Sequence, residues 1–194
     1  MEVEKYYEGG PILIKPKIFE DDRGYFFESF NEKEFKEKVA NVDFVQDNQS
    51  RSAYGTIRGL HFQKGEHAQA KLVRVVRGSV IDIAVDIRPE SEHFGKFFTA
   101  FLSDLNNYQF FIPRGFAHGF IALEDDTVFQ YKCDNYYCKE SEGSIFYADS
   151  EINIPWFNWV SLRLTKLSEK DENAPCFYEY KKEIGYNVDE QNVR

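Results

Sequence analysis

A run of short strand-like segments between positions 43 and 159 limits the folds that this chain can adopt. Residues 80–87 alternate strictly, with branched aliphatic side chains on one face and Val80, Asp82, Ala84 and Asp86 on the other. Further strands are predicted at 72–77, 97–102, 108–112, 119–123 and 128–133. Turn sequences such as Pro113-Arg-Gly separate them. This spacing favours an all-β sandwich or barrel. Without repeats or linkers, we expect one domain over residues 1–194.

Helical signals are few and short. Asn31 is a candidate helix cap, Glu34 occupies the capping-box position, and Phe30 and Phe35 flank the cap as a hydrophobic pair. From this pattern alone, the helix is a surface element that packs on the barrel. Two further segments are predicted to form short helices or loops that close one end, at 162–164 and 168–171. The polar residues 187–194 are expected to be disordered.

Charge and cysteine content limit the possible partners and the compartment. The formal net charge is −9, which argues against nucleic acid or an anionic membrane as the main partner. No segment approaches the roughly 20 apolar residues of a membrane span, and the first residues lack a signal segment. Cys133, Cys138 and Cys176 have no metal-binding or disulfide spacing, so we expect reduced thiols in a cytoplasmic protein.

The four histidines do not form the pattern of a metal site. Barrel metalloenzymes typically carry two histidines separated by one residue on a strand, whereas His61 has no such neighbour. By itself, His61 is either a hydrogen-bonded core residue or a general base that works near neutral pH. His118, in Gly115-Phe-Ala-His-Gly, is either an incidental turn residue or a residue beside a ligand.

Basic side chains are candidates for phosphate binding despite the acidic chain. They are Arg23, Arg58, Lys71, Arg74 and Arg77. In a regular strand, however, Arg58 and His61 point to opposite faces. Either a β-bulge lies between them or Arg58 acts from the end of the strand.

Four segments form a joint pattern: Asp22-Arg-Gly-Tyr-Phe-Phe-Glu-Ser-Phe, Phe44-Val-Gln-Asp-Asn-Gln-Ser, Arg58-Gly-Leu-His-Phe-Gln with Gln69-Ala-Lys-Leu-Val-Arg-Val, and Ile112-Pro-Arg-Gly-Phe-Ala-His-Gly-Phe. Together they resemble the dTDP-4-dehydrorhamnose 3,5-epimerase family. The similarity covers about residues 10–175, and the order and spacing of the segments make it specific. It implies a double-stranded β-helix barrel of the cupin or jelly-roll type, with a few short peripheral helices, that works as a homodimer.

The resemblance also implies a substrate and a set of site residues. The substrate would be dTDP-4-dehydro-6-deoxy-D-glucose, inverted at C3 and C5. His61 would be the base, held by Asp171, with Tyr131 as the acid on the opposite face and Lys71 near the C4 oxygen. The nucleotide-sugar site would be lined by Gln46, Asp47, Asn48, Arg58, His118, Glu142 and Lys170. Arg23, Phe26 and Glu28 would reach the nucleotide from the neighbouring subunit.

These residue types suit proton transfer beside a ketone. The enolate needs a base at carbon and a cation or donor at oxygen, and inversion needs a second group on the other face. No metal or cofactor is expected, because the reaction involves no net redox change. Three alternatives stay open at this point: a C3-only or C5-only epimerase, a metal-dependent barrel oxygenase or isomerase, and a non-catalytic module that binds nucleotide sugars.

Overall fold

The structure is a computed structural model that describes residues 1–186; the predicted disorder at 187–194 concerns residues outside this range. The strands are β1 (Glu2–Lys5), β2 (Ile12–Lys15), β3 (Phe19–Asp21), β4 (Gly24–Phe26), β5 (Gln46–Ser52), β6 (Ile57–Gln63), β7 (Lys71–Arg77), β8 (Ser79–Asp86), β9 (Phe97–Ser103), β10 (Gln109–Ile112), β11 (Phe116–Ala122), β12 (Thr127–Cys133) and β13 (Glu142–Ser144). The α-helices are α1 (Glu32–Lys38), α2 (Glu169–Glu172) and α3 (Phe177–Glu183). Short 3₁₀ turns lie at Gly65–His67, Lys139–Ser141, Trp156–Asn158 and Leu162–Leu164.

Two antiparallel sheets enclose a common interior. The first has the order β1-β2-β10-β7-β12-β5 and the second the order β13-β6-β11-β8-β9. Strands β3 and β4 form a separate hairpin. The prediction of an all-β barrel with a few short helices is confirmed. Within residues 1–186, no helix is long and apolar enough to cross a membrane.

Aliphatic and aromatic side chains fill part of the space between the sheets. The fully buried ones include Val73, Val80, Leu102, Phe110 and Phe129. This interior lies on the side of β8 that also carries Asp82, whereas Ile83, Val85 and Ile87 point to the outer face. The predicted alternation of β8 is therefore confirmed, and both of its faces are covered.

Helix α1 covers the outer face of the first sheet through Phe35, which packs in a cluster of buried aliphatic and aromatic residues. The Asn31 side chain accepts a hydrogen bond from the Glu34 backbone N–H at 3.2 Å, as the cap predicts. The rings of Phe30 and Phe35 are 5.7 Å apart. The Glu34 carboxylate binds the Met1 amino group at 2.8 Å and Lys38, so only half of the predicted capping box forms.

A β-bulge in β6 resolves the orientation of Arg58 and His61. His61 lies opposite His118 of β11, and Arg58 lies opposite Phe120, so three steps along β6 match two along β11. The extra residue puts Arg58 and His61 on the same, interior face. Gly59 allows the bulge: its φ is +126°, and a Cβ atom there would lie 2.6 Å from the Gly119 Cα atom.

Candidate active site

His61 is paired with a carboxylate from the C-terminal part of the chain. Its Nε2 atom lies 2.5 Å from Asp171 Oδ1, although 110 residues separate them in sequence. Helix α2 carries Asp171, and Ser168 caps this helix by accepting a hydrogen bond from the Asp171 N–H at 3.1 Å. The Ser168 hydroxyl in turn donates to Asp171 Oδ2 at 2.9 Å. Both carboxylate oxygens are therefore held, and the imidazole orientation is fixed.

The environment of Asp171 favours its charged form. Burial opposes ionisation, but the hydrogen bonds from His61 and Ser168 outweigh it and lower the pKa of Asp171 below 3.8. The Asp171 side chain is 4% exposed, whereas about a third of the His61 side chain is accessible. An ionised Asp171 can hold the ring of a histidine that acts as a base and lie against the imidazolium that forms.

A second histidine–carboxylate pair lies beside the first. His118 is the cross-strand partner of His61, and its Nε2 atom donates to both oxygens of Asp82 at 3.0 and 3.1 Å. Burial lowers the pKa of His118 despite the opposing effect of Asp82, and burial raises the pKa of Asp82. His118 is a candidate from the sequence, whereas Asp82 lies 36 positions away and is identified only by the fold.

Tyr131 faces the same interior from the other sheet. It lies on β12 opposite Asn48 of β5 and Val73 of β7. The Phe129 ring connects the two walls, with its centroid 6.0 Å from His118 and 6.1 Å from Tyr131. Burial raises the pKa of the Tyr131 phenol above 10.0, so the hydroxyl keeps its proton at neutral pH.

Lys71 is the first residue of β7 and lies near Tyr131. Its Nζ atom is 5.8 Å from the centre of the Tyr131 ring. Burial lowers the pKa of Lys71, and the nearby acidic groups that oppose this shift include Asp82 and Glu142. Within residues 1–186, Lys71 forms no salt bridge. Its ammonium group is therefore available to a ligand oxygen.

Several predicted residues line the rim of this interior. Arg58 donates to Ser52 Oγ at 3.1 Å, and the Gln46 amide donates to Asn48 at 3.0 Å. Glu142 forms an ion pair with Lys170, and the hydroxyl of Tyr137 donates to Glu142 at 3.3 Å. Tyr137 was not singled out from the sequence, where the repeat Tyr136-Tyr137 was the only signal.

Four predicted residues do not bring their side chains to this interior within one chain. Asp47 points to the outer face, where it accepts from Lys132 at 2.9 Å. Arg23 forms an ion pair with Asp21 at 2.5 Å, and the Arg23 side chain is 90% exposed. Phe26 is 67% exposed. Glu28 is also exposed and accepts from the Asn31 amide at 3.2 Å.

The arrangement is suited to proton transfer at carbon. An imidazole backed by a carboxylate lies on one wall, and a protonated phenol and an ammonium group belong to the other. These are the groups that enolate formation and inversion at a carbon beside a carbonyl require. A sequence model of the dTDP-4-dehydrorhamnose 3,5-epimerase family matches residues 9–179. The chain belongs to this family. It is therefore an epimerase, as the sequence predicts.

Curated relatives and solved structures of this epimerase family match the chain over most of its length. The dTDP-4-dehydrorhamnose 3,5-epimerase of Salmonella typhimurium is 50% identical over 84% of this chain and 88% of its own. The enzyme of Elizabethkingia anophelis has a TM-score of 0.86 at 51% identity, covering 92% of this chain and 97% of its own. The dTDP-6-deoxy-D-glucose-3,5-epimerase of Legionella pneumophila, solved in complex with dTDP-4-keto-L-rhamnose, has a TM-score of 0.88 at 42% identity, covering 94% and 96%.

Proposed function

We propose that the chain inverts C3 and C5 of dTDP-4-dehydro-6-deoxy-D-glucose to give dTDP-4-dehydro-L-rhamnose, a step in dTDP-L-rhamnose biosynthesis. The observation that carries this proposal is the placement of His61 with Asp171 and of Tyr131 on opposite walls of one interior. Family membership supports the same substrate. A binding module would have no need of a base and an acid on two faces of the sugar.

His61 acts as the base in this proposal. Its Nε2 atom donates to Asp171, which leaves the lone pair on Nδ1 free to accept a proton from C3 or C5. The electrons of the C–H bond move onto the C4 oxygen as the enolate forms. Asp171 stays ionised and stabilises the imidazolium, because its pKa is lowered.

Tyr131 and Lys71 act on the other side of the sugar. The Lys71 ammonium stabilises the negative charge on the C4 oxygen. The Tyr131 hydroxyl returns a proton to the face opposite His61, so the carbon is inverted when the ketone reforms. This sequence has no net electron transfer and Lys71 supplies the positive charge at the C4 oxygen, so we propose that it proceeds without a metal or a cofactor.

We further propose that two subunits complete the nucleotide site. In this arrangement His118, Arg58, Glu142 and Lys170 bind the nucleotide sugar from one subunit, and Asp47 contributes through its backbone. Arg23, Phe26 and Glu28 come from the partner. The exposed aromatic residues of the β3–β4 hairpin support this proposal, since exposed apolar patches commonly mark interfaces.

The free thiols of Cys133, Cys138 and Cys176 support the proposal that the protein works in the cytoplasm, where thiols stay reduced.

The decisive experiment follows hydrogen exchange by NMR. The 4-keto sugar nucleotide is incubated with the protein in heavy water, without added metal or cofactor. We expect deuterium at C3 and C5 with the wild-type chain, and at least about a 100-fold loss of exchange with His61→Ala. His67→Ala, a histidine outside the site, is the control. Normal exchange in His61→Ala would remove His61 from the role of base.

The same experiment separates the alternatives. Exchange at one carbon only would indicate a C3-only or C5-only epimerase. Nucleotide binding without exchange would indicate a binding module. Activity that chelators abolish and a metal restores would indicate a metal-dependent enzyme.

Tyr131→Phe tests the acid. We expect this variant to keep exchange at C3 better than conversion to the doubly inverted product, because the base is intact and proton delivery is not. The ratio of the two rates is measured by NMR, with Tyr178→Phe on α3 as control. Unchanged product formation would mean that another group delivers the proton.

A further inference from the structure

Phe129 is a fully buried ring between the two walls of the proposed site. It is 0% exposed and lies on β12, two residues before Tyr131 on the same face. It stacks on Phe120 of the second sheet, with ring centroids 4.2 Å apart and planes 18° apart. It also stacks on His118 at 6.0 Å and contacts Tyr131 at 6.1 Å. Among the aromatic pairs of residues 1–186, no other ring contacts both His118 and Tyr131.

The sheets depart from regular pairing on both sides of this stack. In β6–β11 the register shifts between His118 and Phe120. In β12–β7 it shifts between Val128 and Phe129. Bulges re-aim side chains and are common beside active sites. Here they flank the two rings of the stack, so the stack lies where the strands that carry His118 and Tyr131 both depart from regular pairing.

We propose that Phe129 is a positioning residue for the inversion, an inference that rests on the proposed function. Its ring fixes the spacing between the wall that carries His61 and His118 and the wall that carries Tyr131. The position of His61 also depends on Asp171, which reaches it from α2. Tyr131 has no comparable second support, because within the described part of the chain its hydroxyl has no hydrogen-bond partner. Removing the Phe129 ring therefore affects proton delivery more than proton abstraction.

The test is Phe129→Leu, with Phe129→Met as a second variant whose unbranched side chain adapts better to an irregular gap if the first folds poorly. We expect kcat for double inversion to fall about 10- to 100-fold, as for a small displacement of a reacting group. KM should change by less than about threefold, because the groups that bind the substrate are unchanged. Exchange at C3 should be largely retained, because the base is unchanged.

The control is Phe35→Leu. Phe35 is 1% exposed and contacts several rings, but on the outer face of the first sheet. It should lose comparable stability in thermal unfolding while the ratio of inversion to C3 exchange stays normal. A merely structural role for Phe129 predicts the same behaviour for both variants.

A double-mutant cycle with Tyr131→Phe completes the test. If Phe129 acts through the Tyr131 hydroxyl, Phe129→Leu should cost little further inversion once that hydroxyl is gone. Additive losses, or a normal inversion-to-exchange ratio in both Phe129 variants, would overturn the proposal. Failure of the wild-type chain to exchange hydrogen would instead reject the proposed function.

Discussion

Two histidine–aspartate pairs lie side by side, and their surroundings shift the pKa values of the two carboxylates in opposite directions. Asp171 accepts hydrogen bonds from both His61 and Ser168, so its pKa is lowered and its charge is stable. Asp82 is completely buried, and His118 is its hydrogen-bond donor, so burial dominates and its pKa is raised. The first pair is therefore suited to stabilise a histidine that gains a proton. The second holds His118 in one orientation.

In the proposed reaction, Lys71 and Tyr131 should set the alkaline limit of activity. Burial lowers the pKa of Lys71 from 10.5 and raises that of Tyr131 from 10.0. Both must be protonated for the proposed reaction, so Lys71 is the first to lose its proton as the pH rises. We expect kcat to fall at a pH below 10.5.

Lys71→Arg should move this alkaline limb upward, because a guanidinium stays charged to a higher pH. The pH–rate profiles of wild type, Lys71→Arg and Tyr131→Phe measure the effect. If the rate of Lys71→Arg falls at the same alkaline pH as that of wild type, and Tyr131→Phe shows no such fall, the titrating group is Tyr131.

At the scale of secondary-structure elements, the bulge in β6 is the feature on which the site depends. It turns Arg58 to the face of His61, and it brings β6 close to Gly119 of β11. Gly59 lacks the Cβ atom that would lie 2.7 Å from the His118 carbonyl oxygen. The strand therefore needs glycine here both for its positive φ and for the space.

Gly59→Ala should lower the free energy of unfolding by well over about 1 kcal/mol and should reduce activity, since the bulge must open or shift. Gly65→Ala is the matched control: its φ is +57°, but nothing lies within 4 Å of an added Cβ. Urea unfolding and the exchange rate measure the two effects. Equal losses of stability in both variants would mean that the close approach to Gly119 is unimportant.

At the scale of the whole molecule, the exposed β3–β4 hairpin bears on the proposal that two subunits share each site. Within residues 1–186 this hairpin pairs with no other strand, and Phe19, Tyr25 and Phe26 on it are each more than half exposed. Its cation Arg23 has Asp21 as its partner within the same hairpin. A second copy of the chain that accepts this hairpin would cover the aromatic surface and supply a cation to the nucleotide.

Mixed dimers test this arrangement. His61→Ala and Arg23→Ala should each be weakly active alone at low substrate. After subunit exchange, the mixture should recover up to about a quarter of wild-type activity, because half of the dimers are mixed and each has one intact site. Sedimentation of wild type and Phe26→Ser reports the assembly itself. A monomeric wild type, or a mixture without recovery, would argue against shared sites.

The amino-acid sequence determined the features that depend on local patterns. The alternation in β8, the Asn31 cap and the turns between strands each involve residues within a few positions of one another, so their physics is visible in the sequence. The motifs around His61 and His118 likewise indicated the family and most of the site.

Tertiary structure decided what depends on contacts between distant strands. The bulge depends on the close approach of Gly59 to Gly119 in the neighbouring strand. Asp82 lies in the candidate site because β8 pairs with β11. Asp47 faces outward because a strand shows alternate residues to opposite faces, so neighbours in a motif need not share a site. The position of Phe129 between the walls follows from how one sheet packs on the other, which no local pattern encodes.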